Sequence, residues 1–440
     1  MTQAQALNIL KTGANVYLTG AAGSGKTFVL NQYAKYLKKE RVRLAITAST
    51  GIAATHIGGL TIHSWSGIGI LDYLTPQDIE ALREKEHIWK RLNSAQVLII
   101  DEVSMLSPKL FDGLNALTQA VRENSAPFGG LQVVLSGDFF QLPPITRGGP
   151  SPLLPEARSW SESNIISCYL TEQYRHKDPA LLNILNEIRA GSVSENSREL
   201  LAAATDASIF DESPTRLYTH NADVDAINEE ELSQLKARAK SYLMKTKGRS
   251  NIVATLKRGV LAPEELVLKE GAVVMFVRNG FDRGYVNGTM GIVEDCGEQY
   301  PVVRTYEGKR IVAEPVEWAV EEDGKVKASV TQVPLRLAWA ITVHKSQGMS
   351  LDCAEIDLSK AFVPGQGYVA LSRVRTLAGL LLTGLNEEGL RVDERVRYLD
   401  ELLQTQSDAH TVRILRHSKA SLKKIHGAFL ARLDSSRVDS

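Results

Sequence analysis

With 440 residues the chain exceeds the roughly 250 to 300 at which a single hydrophobic core stops growing, so several domains are expected, about three by length. Hydrophobic residues make up 43% and charged residues 23%, which excludes a disordered or fibrous chain and fits a globular one. Lys plus Arg and Asp plus Glu each total 51, so net charge favours neither nucleic acid nor an anionic membrane, and any polyanion has to be held by local features. Cys168, Cys296 and Cys353 lie far apart and show no zinc or disulfide spacing, from which a reducing, cytoplasmic setting is expected. The segment MTQAQALNILKTGANVYLTG lacks a basic stretch followed by an apolar one, and no run approaches the roughly 18 apolar residues of a spanning helix. Neither export nor a membrane span is expected.

Residues 1–165 alternate short apolar runs with amphipathic segments. The runs at 16–19, 44–47, 97–100 and 131–135 have the continuous apolar character of buried parallel strands, giving a first α/β domain. Three of them end in polar or glycine-rich loops at Gly20, Asp101 and Ser136, the edge at which open α/β sheets bind ligands.

After the first strand comes GAAGSGKT, residues 20–27, a complete GxxxxGK[ST] pattern opening a helix near Phe28. Here Gly23, Ser24 and Gly25 can turn backbone N–H groups toward phosphates, Lys26 can supply a point charge, and the Thr27 hydroxyl can meet magnesium. At the end of VLIIDE, Asp101 can complete a magnesium shell, directly or through water, and Glu102 can orient or deprotonate the attacking water. An acid pair alone could equally cap the next helix; the upstream loop makes it catalytic. In LQVVLSGDFFQLPP, Gln141 either reports the γ-phosphate or satisfies loop backbone. ATP hydrolysis with Mg2+ follows from these groups, but not the work it drives.

Residues 67–91 read as a polar helical excursion, either a small wedge or ordinary surface helices. A second α/β pattern, 166–234 and 331–390, is interrupted at 235–330 by VVMFV, GTMGIVED and VVRTYEGKRIV, a small β-barrel-like insertion. The stretch 391–440 reads as a helical tail. Its basic residues Arg413, Arg416, Lys419, Lys423, Lys424 and Arg432 predict a solvated helix, with nucleic-acid contact as the sharper alternative.

The ordered blocks TGAAGSGKT, TASTGIAATHIGGLTIHS, DEVSML, PFGGLQVVLSGDFFQLPP, LTEQYRH, LYTHNADVDAIN, VHKSQGMSLD and GYVALSRVR resemble those of the Pif (petite integration frequency) helicase family, superfamily 1B, related to RecD. The resemblance runs from Gln3 to about Gly384. It implies an α/β protein of two RecA-like parallel-sheet domains of the P-loop NTPase type, with an SH3-like insertion in the second. Arg373 and Arg175 become arginine fingers for the γ-phosphate, and Gln3 the reader of the adenine edge. Thr50, Gly51, Ser64, Asn221, Thr342 and His344 become contacts to single-stranded DNA, with Lys345 a phosphate contact or a structural charge and His63 and Trp65 stacking on bases or else buried.

The implied activity is ATP-dependent 5′-to-3′ DNA unwinding on tailed or forked duplexes and G-quadruplexes, by a monomer or a dimer assembled on DNA, with roles in repair, recombination and telomere maintenance. The rival is a nucleotide-switched nucleic-acid-binding remodeller with little duplex unwinding.

Overall fold

The computed structural model describes the chain except for residues 70, 72, 145–150, 177, 205–214, 219–223, 286, 323–324, 344–345, 348 and 436–440. It divides into two units, one of residues 1–139, 143–174 and 398–440, the other of residues 140–142 and 175–397.

In chain order the first unit contains α1 (Gln3–Leu10), β1 (Val16–Gly20), α2 (Lys26–Lys39), β2 (Leu44–Ala48), α3 (Gly51–His56), β3 (Leu60–Thr61) and α4 (Ile62–Ser66). It continues with α5 (Pro76–Arg83), α6 (Glu86–Ser94), β4 (Val97–Asp101), α7 (Pro108–Arg122), β5 (Gln132–Ser136), α8 (Arg158–Glu162) and β6 (Ile166–Leu170). The six strands form one all-parallel sheet in the order β3-β2-β4-β5-β1-β6. Strands β1, β4 and β5 are buried at every position, which is why their sequences carry apolar runs rather than alternation. These three are neighbours, so the loops leaving Gly20, Asp101 and Ser136 share one edge of the sheet.

The excursion at 67–91 contains α5 and the start of α6, both packed on α7. The PFGG block turns the chain from α7 into β5. Phe128 is buried with φ 52°, its N–H donates to Asn115 Oδ1 at 2.7 Å, and its ring centroid lies 4.9 Å from that of Phe111. The Arg122 guanidinium donates to the carbonyls of Gly129, Leu92, Asn93 and Ala95. This block is therefore a packing device.

The second unit contains α9 (Pro179–Ala190), α10 (Glu195–Ala203), β7 (Thr215–Tyr218), α11 (Val224–Gln234), β8 (Lys240–Leu243), β9 (Lys245–Gly248), α12 (Ser250–Gly259) and β10 (Glu265–Leu268). There follow β11 (Val273–Phe276), β12 (Met290–Asp295), β13 (Val302–Thr305), β14 (Arg310–Val312), β15 (Val316–Glu322), β16 (Lys325–Gln332), β17 (Leu335–Leu337), β18 (Ala340–Thr342), β19 (Ala354–Leu358), α13 (Gln366–Leu371) and β20 (Leu380–Leu385). A second parallel sheet has the order β18-β7-β19-β20, so it is assembled from two separated stretches. Between them lie antiparallel sheets of order β14-β13-β12-β11-β17, β15-β16-β9 and β10-β8. Because β17 pairs with β11, the insertion's strand pairing runs to Leu337 and not to residue 330.

The chain closes with α14 (Glu394–Leu415) and α15 (Lys419–Ser435). The predicted solvated tail needs correcting. Arg413, Arg416, Lys419, Lys423, Lys424 and Arg432 are exposed, but the other face is docked on the first unit. Ser407 Oγ accepts the Tyr169 N–H at 2.9 Å and Ser167 Oγ donates to Gln406 Oε1 at 2.9 Å, so α14 covers the edge strand β6. Phe429 and Leu433 enter the apolar core formed by α1, α2 and the sheet. All three cysteines are free, and among the described residues no helix is long and apolar enough to cross a membrane.

Candidate active site

Strand β1 delivers the chain to Gly20 and α2 receives it at Lys26, with Gly25 as its N-cap at φ 85°. A Cβ on Gly25 would lie 2.0 Å from Gln3 Nε2, and one on Gly20 would lie 2.6 Å from the Leu170 carbonyl oxygen. Only glycine fits this close wrapping. Lys26 Nζ donates to the carbonyls of Gly20 (2.8 Å) and Ala21 (3.2 Å), arching over the loop. Ser24 is buried in the loop and its Oγ has no hydrogen-bond partner among the described residues, a polar atom that a bound oxyanion would satisfy. Thr27 stands exposed in the first turn of α2.

On the same sheet edge, Asp101 closes β4 and is buried. Burial raises its pKa above the usual carboxylate range, opposed by the Ser136 hydroxyl, the Glu102 amide and the Lys26 charge. Glu102 N–H donates to Asp101 Oδ1 at 2.9 Å. Glu102 itself is left-handed, φ 53° and ψ 45°, which costs a non-glycine residue about 1–2 kcal/mol, and its side chain is partly exposed.

Gln3, at the start of α1, donates its N–H to Glu172 Oε2 (2.6 Å) and its Nε2 to the Ser24 carbonyl (3.2 Å), so it sits against the phosphate loop. Sequence reasoning missed the residues beside it. Gln173 Nε2 donates to the Ala22 carbonyl (3.0 Å), and Tyr174 N–H donates to the Gly23 carbonyl (3.0 Å). The Tyr174 ring is exposed, and its edge would come 3.6 Å from a Gly25 Cβ. An exposed aromatic ring next to a base-reading amide suits a planar heterocycle. The signal was available in LTEQYRH, where Tyr174 directly precedes Arg175.

The remaining catalytic candidates belong to the second unit. Gln141 is buried and its Oε1 accepts from Gln347 Nε2 at 3.0 Å. Arg175 is half-buried and its Nη1 points to the Ser372 carbonyl at 3.4 Å. Arg373 is fully buried; its Nε donates to the Val369 carbonyl (2.8 Å), Nη1 to the Ser346 carbonyl (3.3 Å) and Nη2 to Ser372 Oγ (2.7 Å).

Of the strand-binding candidates, Thr50 starts α3, its Oγ1 accepting the Ala53 N–H at 3.2 Å, and Gly51 follows it; both are half-buried. His63 and Ser64 are half-buried on α4. Two of the candidates are buried. Trp65 is buried, the second of the two outcomes weighed for its ring. Thr342 is buried at the end of β18, where its side chain offers nothing to solvent. Asn221, His344 and Lys345 lie outside the described residues.

Comparison with known proteins gives a consistent picture. The model of the PIF1-like helicase family matches residues 2–199, and that of the DNA helicase Pif1 2B domain matches residues 252–295. The chain is similar to an ATP-dependent DNA helicase Pif1 of Psychrobacter sp., 45% identical over 91% of this chain and 70% of that one. Vertebrate relatives are longer, and the chain spans about three fifths of them. Among solved structures it resembles Bacteroides sp Pif1 in complex with ADP-AlF4, at 33% identity and TM-score 0.80, covering 92% of this chain and 96% of that chain. It also resembles Bacteroides Pif1 in complex with ADP-AlF3 and single-stranded DNA, at 33% identity and TM-score 0.65, covering 93% and 97%.

Proposed function

Because the chain belongs to the PIF1-like helicase family, we propose that it is an ATP-dependent DNA helicase moving 5′ to 3′ along single-stranded DNA and opening tailed or forked duplexes. The observation that carries this reading is the gathering, at one edge of one parallel sheet, of the phosphate loop, the acid pair and the Thr50–Gly51 loop.

Lys26 exchanges its loop carbonyls for the β- and γ-phosphate oxygens of ATP, and the orphaned Ser24 hydroxyl gains a partner there. Thr27 and Asp101 are the residues that would hold Mg2+, which neutralises developing phosphate charge. Glu102 orients the attacking water and accepts its proton. Gln3 reads the adenine edge while Tyr174 stacks on its face. Gln141 and Arg175 sense the γ-phosphate, and Arg373 trades one of its carbonyl partners for a phosphate oxygen. Thr50, Gly51, His63 and Ser64 hold the DNA on the first unit, with Asn221, His344 and Lys345 on the second. Grip that alternates with the nucleotide state converts each hydrolysis into a step. Folded G-quadruplex DNA is a further proposed substrate, and a second copy joining on DNA a proposed assembly.

Strand displacement on duplexes bearing either a 5′ or a 3′ single-stranded tail, with and without ATP, tests the reading. Displacement is expected from the 5′-tailed substrate alone and only with ATP, and Lys26→Ala should lower turnover and displacement together by roughly 100-fold or more. Unwinding retained by that variant would overturn the mechanism.

A further inference from the structure

One hydroxyl ties the loop proposed to hold DNA to the residue proposed to hold the attacking water. The parallel pairing of β2 and β4 ends with Ala48 opposite Asp101. Ser49, one residue beyond, donates its N–H to the Asp101 carbonyl at 3.0 Å and its Oγ–H to the Glu102 carbonyl at 2.6 Å. The next residue, Thr50, opens α3 through its Oγ1 and through its carbonyl, which accepts the Ala54 N–H at 3.0 Å. Ser49 is thus covalently joined to the Thr50–Gly51 loop and hydrogen-bonded to two successive peptides of the acid pair.

The conformation of Glu102 gives this contact its consequence. A left-handed glutamate has competing right-handed and extended states of similar or lower energy, so its surroundings must select the observed one. Its carbonyl direction is set by ψ 45°, and Ser49 Oγ–H holds that carbonyl. A displacement of the Thr50 loop therefore acts on the rotation of the Glu102 peptide and so on the aim of its carboxylate. Coupling between sites requires an element whose conformational equilibrium both sites bias, and the Glu102 peptide is placed to be one.

We propose that Ser49 is a positioning residue that couples occupancy of the Thr50–Gly51 loop by a DNA phosphate to the orientation of Glu102, and hence to ATP turnover. The inference rests on the helicase reading above. A serine that merely finishes a strand would act on folding alone, whereas this role acts on the response of turnover to DNA.

The test measures ATP turnover of the full chain without DNA and with saturating single-stranded oligonucleotide, for the parent, Ser49→Ala and Ser49→Thr. Ser49→Ala should cut the stimulation of kcat by DNA about five- to tenfold with KM for ATP within about twofold, and Ser49→Thr, which keeps the hydroxyl, should restore it to within about twofold of the parent. Parental stimulation in Ser49→Ala overturns the proposal, as does a Ser49→Thr protein as impaired as Ser49→Ala. A parent whose turnover ignores DNA would remove the helicase reading and this inference together; a stimulated parent with an unaffected Ser49→Ala removes only the inference.

Discussion

His176 sits one position after the arginine finger candidate Arg175, and its environment has a measurable consequence. The imidazole is buried, with Nε2 3.1 Å from the Ser372 carbonyl oxygen. Burial first, then the neighbouring Arg175 charge and the more distant Arg373, push its pKa down from 6.5 to about 4. The native state therefore keeps it neutral where the unfolded chain would protonate it. Its contribution to stability is complete above pH 6.5 and is lost as pH falls from 6.5 toward 4, by at most about 3 kcal/mol. Thermal melts of the parent and His176→Gln between pH 7.5 and 4.5 should show the parent losing stability faster on acidification, so that the two curves converge; parallel curves would show that the shift is absent. At this scale a sequence motif supplies residue order but not direction. LTEQYRH names Arg175 without showing that Tyr174 lies beside the phosphate loop and His176 in a core. TIHSW likewise fails to show that the Trp65 ring turns inward while His63 and Ser64 stay partly exposed.

Among the elements, the C-terminal helices were the least legible. Their charges are conspicuous, whereas the docking face rests on pairs four residues apart, Leu403 with Ser407 and Phe429 with Leu433. Leu402, Val412 and Leu415 are exposed on α14, so counting apolar residues does not reveal which face is covered. The contact itself is specific. Gly13 has φ 82°, and a Cβ there would lie 2.2 Å from the Phe429 ring. His426 Nε2 meets the Asn8 carbonyl at 3.1 Å, and Gln96 Nε2 donates to the Leu433 carbonyl at 2.6 Å. Helix α15 thus packs where α1 ends, in the same core as the base of the β-sheet. Phe429→Ala should cost about 3–5 kcal/mol in urea unfolding, with Phe429→Leu costing less, as expected for a buried ring whose site cannot collapse. A loss below about 1 kcal/mol, typical of a surface change, would show that the helix is not docked.

For the molecule as a whole, the first parallel sheet was readable because β1, β4 and β5, buried at every position, are written as unbroken apolar runs, and the phosphate loop because its spacing has so few other uses; β7 and β19 of the second sheet instead alternate in burial. The exit from the insertion was not readable. Leu335–Leu337 is as apolar as the strand after it, and composition cannot say which sheet a three-residue strand joins. Pairing decides it: β17 lies against β11, whereas the chain re-enters the parallel sheet at Trp339, whose carbonyl accepts the Arg216 N–H at 2.8 Å. Asn228 then clasps Ala340 from both sides, its Nδ2 donating to the Ala340 carbonyl (2.8 Å) and its Oδ1 accepting the Ala340 N–H (3.0 Å). Two excisions distinguish the boundaries, each closed by a short Gly/Ser linker. Removing residues 238–337 takes β17 away with its partner, whereas removing 235–330 keeps β17 but strips it of β11. The second excision exposes Leu335, now fully buried, and with it about 1.5–3 kcal/mol of burial. The 238–337 excision should therefore melt roughly 3–10 °C higher than the 235–330 excision and stay less prone to aggregate, since no unpaired apolar strand edge is left. Equal melting temperatures would mean that Leu335–Leu337 is held by the parallel sheet's own surroundings, and would return the boundary to residue 330.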